Sequence, residues 1–161
     1  MFDEWKILLP FFQWADATFI GEYIRSKTWV FPVIETIHIL AMTVLYGAII
    51  LVDLRLMHIG MKKQSVSLLA RTLNPFLQSG IGIMLLSGTL LFSSEAMKAY
   101  SNDGFHLKMF FLAGALIFQY LIWPRVTRRD EVSLGLGWVT AILSLCLWFG
   151  VGVGGRAIGF V

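Results

Sequence analysis

The residues of this chain able to do chemistry at membrane depth begin with one histidine. His38 lies in an apolar run from Trp29 to Val52, and no charged residue stands between Glu35 and Asp53. A polar side chain is costly to hold at such depth, so it usually has a partner or a task. Imidazole is also the commonest side-chain ligand for metals and a usual axial ligand of haem iron. His106, Lys108 and Arg156 complete the set of interest. An iron porphyrin would use one imidazole from each of two facing helices, with a cation near the interface for its propionates. On that reading His38 and His106 are the metal and cofactor ligands, Arg156 holds a propionate, and Lys108 supplies a functional amine. Thr36 and Glu35, next to His38, are candidates to fix its second ring nitrogen. His106 and Lys108 are two residues apart and point about 200° away from each other on a helix. They therefore compete for the place facing His38, and each has the plainer alternative of reaching the interface from its helix. For His38 the plainer alternative is a structural hydrogen bond.

Three histidines in all exclude a bundle with two bis-imidazole haems, which needs four. Met97, His106 and Met109 form a weaker thioether and imidazole set of the kind that suits Cu(I). No nucleophile and base pair, phosphate loop or hydrolase carboxylate pair is present. Cys146 is the single cysteine, so it makes no internal disulfide, and a packed apolar thiol is expected.

These side chains need elements to position them. The chain is 57% hydrophobic and 14% charged, with a mean hydropathy of +0.74. That balance points to an integral membrane protein rather than a soluble domain. Hydrocarbon about 30 Å thick requires roughly 20 apolar residues per helix. Four stretches are long enough: about 29–52, 76–94, 106–123 and 133–154. Residues 5–24 mix Trp, Phe, Leu and Ile with Asp16 and Glu22, and read as an interfacial amphipathic helix rather than a fifth span or a signal peptide. Pro32 suits the first turn of span one. Asn74-Pro75 is expected to break the chain before span two, the Ser101–Gly104 segment to turn, and Trp123-Pro124 to close span three. Short connections give an all-α, up-down four-helix bundle in one domain.

Alternation then sorts the polar groups by depth. The start of spans one and three and the end of spans two and four share one side. That side collects Glu35, His38, Ser93, Glu95, His106, Lys108 and Arg156, whichever side it is. The net charge of +3 is spread over loops and makes no nucleic-acid face. Arg55, Lys62, Lys63 and Arg71, with Arg125, Arg128 and Arg129, favour cytoplasmic placement of those two loops and external termini. Asp53 and Arg55 read as a solvated or paired cap at the end of span one. The run from Gly150 to Gly155 would let a flat ligand lie against backbone, or let helices pack closely.

Thr36-Ile37-His38-Ile39-Leu40, then Gly47, then Leu54-Arg55-Leu56, resembles the first span of the HemJ-type protoporphyrinogen oxidases. The wider set of small tetra-span proteins around them, including the copper-resistance D family, is similar too. Phe105-His106-Leu107-Lys108-Met109 resembles the opening of a later helix in the same proteins. The resemblance covers spans one and three. It implies haem b on His38 and a lysine needed for activity at Lys108. Leu54-Arg55 stands where that pattern has Pro-Arg, and the chain as a whole is more similar to a bacterial tetra-span family. The expectation is therefore a multi-pass protein of the bacterial inner membrane that binds haem b. It would transfer electrons or oxidise a small hydrophobic substrate, a quinol or tetrapyrrole. Partners would be the bilayer, that substrate and a homo-oligomer or larger complex. A non-catalytic accessory subunit and a copper or solute permease are the alternatives.

Overall fold

A computed structural model describes residues 7–61 and 63–160. Lys62, which contributed to the charge balance above, and the start of the expected interfacial helix before Ile7 lie outside them. Four helices are long and apolar enough to cross a membrane: Val30–Leu56, Val66–Ser94, Asp103–Thr127 and Leu134–Ala157. We number the elements α1 (Leu9–Asp16), α2 (Phe19–Ser26), α3 (Val30–Leu56), α4 (Val66–Ser94), α5 (Ala96–Tyr100), α6 (Asp103–Ile117), α7 (Trp123–Thr127) and α8 (Leu134–Ala157). A single π-turn, Phe118–Ile122, joins α6 to α7.

The bundle is the expected all-α one, antiparallel at each step. α3 packs on α4 and α8, and α8 packs on α6. Leu45, Ile49 and Val52 of α3 meet Leu77, Ile81 and Met84 of α4, with Ala115, Trp148 and Val151 from the other side. Among the described residues the fourth side, between α4 and α6, is the loosest. It is bridged at one end by the stacked rings of Phe92 and Phe105 and at the other by Tyr120 Oη donating to Gln78 Oε1.

Several expected boundaries move, for reasons that lie in packing and capping. α4 begins at Val66, ten residues before the expected start, and Asn74-Pro75 does not break it. Ser65 caps the helix by accepting from Leu68 N–H at 3.2 Å. Val66, Leu69 and Ala70 are buried in the bundle, and that burial outweighs the one hydrogen bond Pro75 removes. Trp123-Pro124 likewise does not close span three. Proline in an α-helix clashes with the carbonyl four residues back, here Tyr120. The wide turn before it relieves that clash, with Trp123 N–H bonded to the Phe118 carbonyl five residues back, and the helix runs on to Thr127. The Ser101–Gly104 turn is shorter than expected. Asn102 Oδ1 accepts from Phe105 N–H at 3.1 Å, so Asp103 and Gly104 are already helix.

The N-terminal segment is two helices rather than one. Thr18 breaks it, donating to the Ala15 carbonyl at 2.8 Å and accepting from Gly21 N–H at 3.3 Å. Arg25 clamps the pair onto the bundle, bonding Asp16 and the Ser94 carbonyl, the latter at 2.9 Å. Phe12 is buried against Phe92, Tyr100 and Phe105. Phe11, Trp14, Phe19 and Tyr23 face outward, as an interfacial segment requires.

Candidate functional site

His38 sits on the buried face of α3, 8% exposed. Its Nδ1 lies 2.9 Å from Ser87 Oγ on α4. Ser87 Oγ is in turn 2.6 Å from the Ile83 carbonyl and 3.3 Å from that of Met84. A carbonyl only accepts, and a serine hydroxyl has one hydrogen. With that hydrogen on Ile83, the Ser87 oxygen accepts from His38, so Nδ1 carries the proton and Nε2 keeps its lone pair. An adjacent glycine makes this possible: a Cβ on Gly88 would stand 3.2 Å from His38 Cε1. Gly88 is one of the small residues expected to let span two approach its neighbours, whereas nothing in the sequence singles out Ser87, since the candidates for the second ring nitrogen lie beside His38 on its own helix. Thr36 instead donates to the Pro32 carbonyl at 2.7 Å. Both Thr36 and Glu35 are exposed.

Alternation correctly grouped one end of the bundle. Lys108 lies in the opening turns of α6 at this end, where α6 packs on α8. Its backbone lies tight against Gly154, whose Cβ would come within 2.7 Å of Lys108 N. α6 is regular through this stretch, so His106, two residues earlier, points about 200° away from Lys108. Its ring makes an edge contact with Phe105. Arg156 is exposed at the same end, its guanidinium 4.4 Å over the Phe160 ring. Glu95 pairs with Lys98 at 2.5 Å. Met97 and Met109 are exposed. Among the described residues no three of His, Cys, Asp and Glu gather as a metal cluster.

The glycine run resolves into helix packing. A Cβ on Gly150 would enter the Phe111 ring, one on Gly152 would lie 2.9 Å from Tyr46 Oη, and Gly154 meets Lys108. Protein already covers these three glycines, so they do not floor a flat ligand site. Cys146 also departs from expectation: it is exposed. Ser144 and Trp148 face inward, and Cys146, two residues from Ser144, points outward from α8. His58 falls outside any site, at φ 61°. It is the left-handed residue that ends α3, with Ile59 N–H bonded back to the Leu54 carbonyl at 3.0 Å.

At the opposite end, Asp53 is not a solvated cap. It is 0% exposed, and Trp123 Nε1 donates to its Oδ1 at 3.2 Å. α3 runs four residues past the expected end, and its last turn packs beneath α8. Asp53→Asn keeps an acceptor for Trp123 and is expected to leave the thermal midpoint in detergent nearly unchanged. Asp53→Ala strands that indole N–H and opens a void. It is expected to cost about 2–3 kcal/mol, read as a lower midpoint in the same melt.

Four antiparallel spans, a histidine fixed between two of them and interfacial helices clamped to one end define a small multi-pass helical membrane protein. More specifically, the chain belongs to a family of unknown function, DUF6644, whose model matches residues 11–161. No curated protein and no solved structure matches it.

Proposed function

We propose that this protein binds haem b in the membrane with His38 as an axial ligand. The observation that carries the proposal is the bond to Ser87, which leaves His38 Nε2 as the nitrogen with a lone pair. Metal-bound histidines are held in this way, with the second ring nitrogen donating to a fixed acceptor. His38 is also buried, as a haem ligand at this depth would be. Lys108 shares its end of the bundle. Arg156 is the cation at the same end suited to a propionate; among the described residues its guanidinium rests on the Phe160 ring. His106 points away from Lys108, which favours one protein imidazole over two. Haem b would supply one-electron chemistry, fitting electron transfer or oxidation of a small hydrophobic substrate. The charge balance of the loops supports external termini, and the resemblance to a bacterial tetra-span family supports placement in the bacterial inner membrane.

The test is the absorption spectrum of detergent-purified protein from haem-replete cells. A Soret band at a stoichiometry near one is expected, with sharpened bands after dithionite. Absence of the band in folded wild-type protein would end the proposal. Ser87→Ala is expected to keep the band but lower haem affinity about 10- to 100-fold, measured by transfer to apomyoglobin. Unchanged affinity would remove Ser87 from the ligand's support.

A further inference from the structure

At the end of the bundle away from His38, α4 and the α6–α7 junction part around a cleft of about 940 Å³. Its lining carries Arg71, Arg128 and Asp130 together with Asn74, Gln78, Gln119 and Tyr120, and of these polar residues Gln119 is the buried one. Gln119 is the unusual member. It is 2% exposed, and its Oε1 has no hydrogen-bond partner among the described residues. A buried amide oxygen left without a donor costs about 1–3 kcal/mol. Two neighbouring acceptors of the lining are engaged: Tyr120 Oη donates to Gln78 Oε1 at 2.8 Å, and Gln78 Nε2 reaches Asn74 Oδ1 at 3.4 Å. Gln119 also lies in the π-turn Phe118–Ile122. Such turns are rare and recur at functional sites.

These features select a ligand. The unmet group is an acceptor, so the ligand brings an O–H or N–H. The amide, phenol and hydroxyl groups of the lining are neutral and its charges, Arg71, Arg128 and Asp130, are of both signs, so the head is neutral. The cleft opens between two membrane helices whose outer faces, at Phe76, Leu121 and Ile122, are apolar, so an attached tail can lie in lipid. The arginines are exposed, and such long side chains reach water. We propose that this cleft binds a membrane quinol, with one phenolic O–H donating to Gln119 Oε1. The choice of a quinol among hydroxyl-bearing heads rests on the redox reading given above. The site itself does not, because it shares no residue with the His38 end.

The experiment measures binding of a decyl-tailed benzoquinol to the full-length protein in phosphatidylcholine nanodiscs, without oxygen, by quenching of tryptophan fluorescence. The quinol's dimethyl ether, which has no O–H, is the comparison. Wild type is expected to prefer the quinol about tenfold, the effect of one satisfied buried acceptor. Gln119→Leu is expected to erase the preference, and Gln119→Met, closer in shape, serves if the leucine variant does not fold. His38→Ala is expected to keep it, so failure of haem binding and failure of this site are separable. Equal binding of quinol and ether would overturn the proposal. So would a preference that survives in the folded Gln119 variant or one lost in His38→Ala. Loss of quinol binding in phosphatidylglycerol nanodiscs would also overturn it, assigning the cleft to an anionic lipid held by Arg71 and Arg128.

Discussion

Replacing His38 with alanine is expected to abolish the Soret band of the purified protein while the protein remains a folded, monodisperse helical bundle. The expected loss is complete rather than graded. His38 is buried, and its Nδ1 is bonded to Ser87 on the neighbouring helix. His58 ends α3 at the far side of the bundle, at a left-handed position. His106 lies on a face of α6 turned away from Lys108. His106→Ala is therefore expected to retain the band, and the two variants together separate a ligand from an interfacial residue. Removing the ring leaves a void beside Gly88 and Ser87, so some stability is lost as well, on the order of 2 kcal/mol. Gel filtration and circular dichroism at 20 °C below the wild-type midpoint check that the bundle persists. A His38→Ala protein with an undiminished Soret band would move the ligand elsewhere.

The second large effect is structural. Gly154→Val is expected to lower the detergent-solubilised midpoint steeply, by about 3 kcal/mol or more, and to loosen α6 from α8. The added Cβ alone would stand 2.7 Å from Lys108 N and 2.8 Å from Lys108 Cα. Those are backbone atoms of a neighbouring helix, which no side-chain rotation moves out of the way. Overpacking of a tight contact costs about 1–3 kcal/mol when side chains give way, and a backbone contact gives way less. Gly155→Ala is the control. Its Cβ would meet only the Lys108 side chain, at 3.8 Å, which is ordinary contact. Its midpoint is expected to stay within about 0.5 kcal/mol of wild type. Equal midpoints for the two variants would show that α6 and α8 do not depend on this approach. Because Lys108 shares the His38 end, Gly154→Val is also expected to weaken haem retention, and Gly155→Ala to leave it unchanged.

Much of the architecture was legible in the residues. Runs of apolar side chains about the length of a bilayer fix where helices must lie, because unbonded backbone is too costly in hydrocarbon. Short connections then force antiparallel neighbours, and alternation alone put His38, Lys108 and Arg156 at one end. The finer features were less legible because they depend on neighbours distant in sequence. Pro75 reads as a break until Val66 and Leu69 are seen buried ahead of it. Pro124 reads as a stop until the π-turn makes room for its ring. Cys146 reads as core by depth, yet depth along a helix says nothing about the direction in which a side chain points.

The sequence by itself determined four spans, their order and the end of the bundle to which each polar group belongs, since hydropathy and alternation act along one dimension. Only the tertiary structure decided that Ser87 rather than Thr36 holds His38, that Asp53 is enclosed by Trp123, and that Gln119 faces a cleft without a donor. Those facts depend on how each helix is rotated about its axis against the others, and that rotation is set by close packing between residues far apart in the chain.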